Sequence, residues 1–109
     1  MLPIIRRTGN RVTVVLPEDF DLHFAPALRA VVDRIIDEGC RDLTLDASQT
    51  VHLDSTGLTA LIIWYRRLTA LGGASALTGV SSDIHHLLTR MGLDTALTVT
   101  PRPDSDSPL

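Results

Sequence analysis

Three apolar stripes of helical period, each following a short strand-like run, constrain this chain more than any other feature. Leu28, Val31, Val32 and Ile35 recur at i, i+3, i+4 and i+7. Leu58, Leu61, Tyr65 and Leu68 form a second stripe, with Ile62 and Trp64 at its margins, and Ile84, Leu87, Leu88 and Met91 form a third. The strand candidates are Ile4-Ile5, Arg11 to Leu16, Leu43 to Ala47, Ala74 to Thr78 and Leu97 to Val99. Thr8-Gly9-Asn10 reads as a turn, so the first two form a hairpin, which Pro17-Glu18-Asp19-Phe20-Asp21 ends. Pro26 fits a first helical turn, Ser81-Ser82-Asp83 offers an N-cap, and Gly39, Gly72-Gly73 and Gly92 are stops. The order β-β-α-β-α-β-α-β predicts an α/β fold, a mixed sheet with helices packed on it.

The 109 residues suit one domain, expected over residues 1–100, and the proline-rich "PRPDSDSPL" from Pro101 to Leu109 reads as a disordered tail. A net charge of −3 argues against nucleic-acid binding, which favours a basic face. No apolar run approaches the ~18 residues that span a bilayer, and the N-terminus lacks a signal-peptide pattern, so a cytoplasmic protein without direct membrane contact is expected. The single cysteine, Cys40, cannot form an internal disulfide, and its apolar neighbourhood suggests a buried thiol.

Chemistry concentrates in the corner "VHLDSTGLTALI", where Asp54, Ser55, Thr56 and Gly57 join a strand-like approach to the second helix. Such residues cap helices routinely, because their oxygens accept the orphan amides of a first turn. An aspartic-protease reading fails, since two hydroxyl residues separate Asp54 from Gly57 and a helix follows. A hydrolase reading needs an oriented base. His52 lacks an obvious orienting carboxylate, His85 and His86 lie beside the third stripe, and there is no G-x-S-x-G elbow. Adjacent His85 and His86 would point about 100° apart on a helix and cannot chelate one metal ion. No enzyme activity, cofactor or metal is expected. Modification survives beside capping: a phosphate on an exposed hydroxyl here adds roughly −1.5 to −2 charge. The helix dipole and free first-turn amides would tolerate it, whereas a docked partner would not. Ile63, framed by Thr59, Arg66 and Arg67 on the face opposite the stripe, reads as part of a modest protein-binding patch.

The segment "LTLDASQTVHLDSTGLTALI", Leu43 to Ile62, followed by "GGASALTGVSSDIHHLLTRMGL", resembles the STAS domain, in particular the single-domain bacterial anti-sigma-factor antagonists. The similarity runs from about Ile4 to Val99. It implies a non-enzymatic partner of an anti-sigma factor that carries a histidine-kinase-like ATPase domain. Binding would release a sigma factor, and the kinase would switch the antagonist off by phosphorylating Ser55, or less readily Thr56. A PP2C-type serine phosphatase would reverse the modification. ATP and Mg²⁺ would belong to the kinase. Asp54 would contact the partner together with Ser55, Thr56 and Gly57, and Asp21 matches an aspartate that closes a Gly-Glu-Leu/Ile-Asp segment of the family. Glu18 stands where that segment begins with glycine, which implies a different backbone path and added negative charge. STAS domains also serve as constitutive subunits of membrane-transport or stress-sensing complexes, and that alternative would leave the corner a helix cap.

Overall fold

The computed structural model describes residues 4–94 and 97–101. Strands β1 (Ile4–Thr8) and β2 (Arg11–Val15) pair antiparallel. They are followed by β3 (Asp19–Phe20), α1 (Ala25–Asp37), β4 (Asp42–Asp46), β5 (His52–Leu53), α2 (Ser55–Ala70), β6 (Ala74–Val80), α3 (Ser82–Arg90) and β7 (Thr98–Pro101). The main sheet has the order β1-β2-β4-β6-β7, and every pairing after the hairpin is parallel. This is the expected mixed α/β sheet. A second, two-stranded parallel ladder joins Asp19 to His52 and Phe20 to Leu53.

Register explains which face is covered. Val12, Leu43 and Ser75 lie side by side, as do Val14, Leu45 and Leu77, and all six are buried. The alternate positions Thr13, Thr44 and Ala76 are only half-buried. Successive right-handed crossovers moving one way across the sheet carry α1, α2 and α3 over the first face. The outermost strands differ from the inner ones. β1 exposes Arg6 and Arg7, and β7 ends at Pro101, paired with Val80. Pro101 thus lies on an edge strand, where a proline is tolerated. The remainder of the expected tail, residues 102–109, lies outside the described residues.

Helix α2 departs from its expected burial. Trp64 is fully buried at the centre of the core, not at a stripe margin, and Ala60 joins it. Tyr65 is only partly buried. The reason is two-sided packing: α2 lies on the sheet and also against α1. The Trp64 Nε1–H donates to Asp33 Oδ1 at 3.2 Å, and the indole packs on the Phe20 ring with centroids 6.0 Å apart. Arg67 Nη2 donates to Asp37 at 2.5 Å and Nη1 faces Asp33 at 3.4 Å, which ties the two helices at their far end. In α3, Met91 falls outside the stripe as an exposed C-cap residue. Cys40 is buried as expected, and burial raises its thiol pKa, which keeps it protonated and unreactive.

Candidate functional site

The corner between β5 and α2 is built around Asp54. Its extended backbone makes it the N-cap residue. Oδ1 accepts the amides of Thr56 at 2.9 Å and Gly57 at 3.0 Å, while Oδ2 accepts the amide of Leu22 at 3.0 Å. One carboxylate thus closes the first turn of α2 and fastens the loop before α1 to it. The hydrogen bond from Gly57, followed by those from Leu22 and Thr56, pulls the carboxyl pKa below its ordinary value. A lowered folded pKa stabilises the fold above the unfolded value of about 3.9, and this contribution is lost as pH falls through the lowered value. Asp54→Asn retains a cap but removes the titration. Its stability is expected to fall less steeply than wild type below about pH 4, as measured by urea unfolding across pH.

Asp21 is half-buried and acts locally: its Oδ1 accepts the His23 amide at 3.0 Å, and its carbonyl accepts the amides of Phe24 and Ala25 as α1 begins. Among the described residues only glycines have positive φ, so Glu18 adopts an ordinary backbone conformation where the family segment begins with glycine. Its carbonyl accepts the amides of Val51 and His52, and Thr50 Oγ1 donates to the Pro17 carbonyl at 2.9 Å. These bonds zip the loop before β3 to the loop before β5. Gly57 is required by proximity: a Cβ there would stand 2.2 Å from the Phe20 carbonyl oxygen and 2.9 Å from Leu53 Cδ1.

Ser55 is the first residue of α2 and is exposed. Among the described residues its hydroxyl has no hydrogen-bond partner, whereas its carbonyl accepts from Thr59 Oγ1 at 2.7 Å. Ser55, Thr56 and Thr59 line one wall of an open groove of about 550 Å³, and Pro26, Arg29, Ala30 and Asp33 of α1 supply the other. Two expectations need correction here. The Thr56 and Gly57 amides are not free to receive an anion, since Asp54 already occupies them. His52 does have an orienting carboxylate, with Nδ1 at 2.6 Å from Asp19 Oδ1, although no hydrogen bond joins its ring to Ser55.

Ile63 is half-buried rather than exposed, and it does not belong to the core cluster. Its flanking Arg67 is turned toward α1, which leaves Arg66 as the exposed arginine of that pair. Sequence periodicity missed three exposed apolar residues in the loops next to β3 and β5: Leu22 is 63% exposed, Val51 55% and Phe24 40%. Large apolar residues in a loop, outside any periodic stripe, were the available signal.

A family model described as "Mlab, STAS domain" matches residues 5–100. The chain belongs to the STAS-domain family. Solved structures of the same fold include an anti-sigma factor antagonist from Mycobacterium paratuberculosis, with a TM-score of 0.80 and 21% identity over 94% of this STAS domain and 87% of that chain. The Bacillus cell-fate determinant SpoIIAA in its phosphorylated form has a TM-score of 0.75 and 19% identity, covering 95% of this chain and 96% of its own. A sulfate transporter family protein from Wolinella succinogenes has a TM-score of 0.74 and 25% identity, covering 90% and 82%. The STAS-domain corner thus stands on a scaffold shared by regulatory antagonists and a transporter family.

Proposed function

We propose that this STAS domain is an anti-sigma-factor antagonist working in the cytoplasm. It binds a serine-kinase anti-sigma factor through Asp21, Asp54, Ser55, Thr56 and Ile63, while the buried Gly57 supports the corner from beneath, and so releases a sigma factor. Phosphorylation of Ser55 ends the interaction, and a PP2C-type phosphatase restores it. The observation that carries this reading is the Ser55 hydroxyl, exposed and without a partner beside a fully bonded Asp54. Modifying it breaks no hydrogen bond of the fold, yet places a dianion on a surface that must fit a partner. In the transfer, Ser55 Oγ attacks the γ-phosphorus of kinase-bound ATP. The new O–P bond forms as the bond to the β–γ bridging oxygen breaks, ADP departs with that electron pair, and a base on the kinase takes the hydroxyl proton. Every ligand of ATP and Mg²⁺ is then the partner's, and this chain is substrate and regulator rather than catalyst.

The test is incubation with candidate kinase-type anti-sigma factors and ATP, with the phosphate located by mass spectrometry. Modification is expected at Ser55 and absent from Ser55→Ala. Ser55→Asp is expected to weaken partner binding roughly a hundredfold, since a misplaced like charge at an interface costs several kcal/mol. Wild-type affinity in Ser55→Asp would overturn the switch. It would favour a second reading, a constitutive STAS subunit of a membrane-transport complex, which the likeness to the Wolinella sulfate transporter family protein supports. No helix of the described residues is long and apolar enough to cross a membrane, so that role would be an attachment to a membrane partner.

A further inference from the structure

The amides of Thr56, Gly57 and Leu58 in the first turn of α2 cannot turn to a phosphate on Ser55, because each is already bonded. Asp54 Oδ1 holds the amides of Thr56 and Gly57, and the Leu58 amide donates to the Asp54 carbonyl at 2.9 Å. The Asp54 carboxylate itself, ionised and fixed beside Ser55, repels an added dianion. The groove beside Ser55 offers what the helix end does not. Its two charged side chains are Arg29 and Asp33, both from α1. Asp33 Oδ1 is engaged by Trp64 Nε1 and Arg67 Nη1, and Oδ2 lies 3.7 Å from Arg29 Nε, beyond hydrogen-bond length. Arg29 is therefore loosely held, with 43% of its side chain exposed, and its guanidinium can turn toward a new anion.

We propose that the α1–α2 groove is the seat of the Ser55 phosphate and that Arg29 is its receptor, so that modification plugs the groove as well as charging its rim. This rests on reading Ser55 as the phosphoacceptor. A planar guanidinium takes two phosphate oxygens at once, which no other group lining the groove can do. The phosphate then bridges α1 to the first turn of α2, covers Thr56 and Thr59, and removes the groove from any partner that inserts there. A partner is excluded by an occupied cavity, not by repulsion alone.

The test installs phosphoserine at position 55 during translation, so it needs no kinase. A ³¹P NMR titration of the full chain reads the second phosphate pKa, ordinarily about 6. It is expected to lie about half a unit or more lower in the wild-type background than in Arg29→Gln, with Arg29→Lys between them. In ¹⁵N-arginine-labelled protein, the Arg29 Nε–H signal is expected to shift on phosphorylation while that of Arg66 stays in place. An unchanged Arg29 signal, or the same phosphate pKa in all three backgrounds, would overturn the receptor role and leave the kinase reading intact. Conversely, a kinase that ignores Ser55 would sink the proposed function while this titration still decides the groove. Should Arg29→Gln fold poorly, the labelled unmutated chain gives the answer alone.

Discussion

Trp64→Ala is expected to cost about 3–5 kcal/mol, the scale for emptying a fully buried aromatic site. The indole is shared by three elements: it packs on Phe20 of β3, donates to Asp33 of α1, and belongs to α2. Its removal leaves a cavity that cannot collapse from one side only. Asp33 keeps its contacts with Arg67 and Arg29, so the carboxylate is not stranded. Domains of this size are stable by roughly 5–15 kcal/mol, and the loss is therefore a large share of the total. Thermal unfolding should show a melting temperature lower by about 12 °C or more, given roughly 4–8 °C per kcal/mol. Trp64→Phe separates the two contributions. It keeps a ring against Phe20 but loses the hydrogen bond, worth about 1 kcal/mol, and some volume. A Trp64→Ala chain that melts within a few degrees of wild type would show that the α1–α2 contact, and not the indole, holds β3 in place.

Gly57→Ala is the second change with a large effect, and its sign is diagnostic. Helix propensity alone favours alanine over glycine by about 1 kcal/mol. Here the added methyl meets the backbone oxygen of Phe20 at 2.2 Å, together with the Leu53 and Phe20 side chains at 2.9 Å. Neither the backbone of β3 nor the buried Phe20 ring can yield cheaply, so overpacking is expected to destabilise by about 1–3 kcal/mol or more. The strain falls on the two-residue pairing of Asp19-Phe20 with His52-Leu53, and the loop carrying Leu22 and Phe24 should shift with it. Partner binding should therefore drop together with the urea midpoint. A rise in midpoint would mean that β3 does not sit against the first turn of α2.

These two residues also show what could be read without coordinates. The three stripes placed α1, α2 and α3, and their stop signals fixed the ends closely: α2 runs from Ser55 to Ala70, just ahead of the Gly72-Gly73 stop. The ladder of β3 and β5 was not legible, since two residues carry no period. Trp64 was misplaced because a stripe argument assumes one covered face, whereas α2 is covered by both the sheet and α1. The capping role of Asp54 followed from residue type. Its third bond, to Leu22, depends on a loop 32 positions away and could not. Gly57 reads as generic in sequence, and only the crossing of β3 above it gives the glycine a reason. Arg29 likewise has no local pattern, since its place opposite Ser55 arises from the packing of α1 on α2.

The flanks of the sheet have a bearing on how such a protein behaves when crowded. A strand with bare amides invites lateral growth by other chains. Here the outermost ribbon on one side displays Arg6 and Arg7, the second of which faces Glu38, and the opposite ribbon carries Pro101. Cationic side chains and a residue without an amide hydrogen discourage an incoming strand at either border. Lateral pairing is thereby opposed along β1 and at Pro101 of β7.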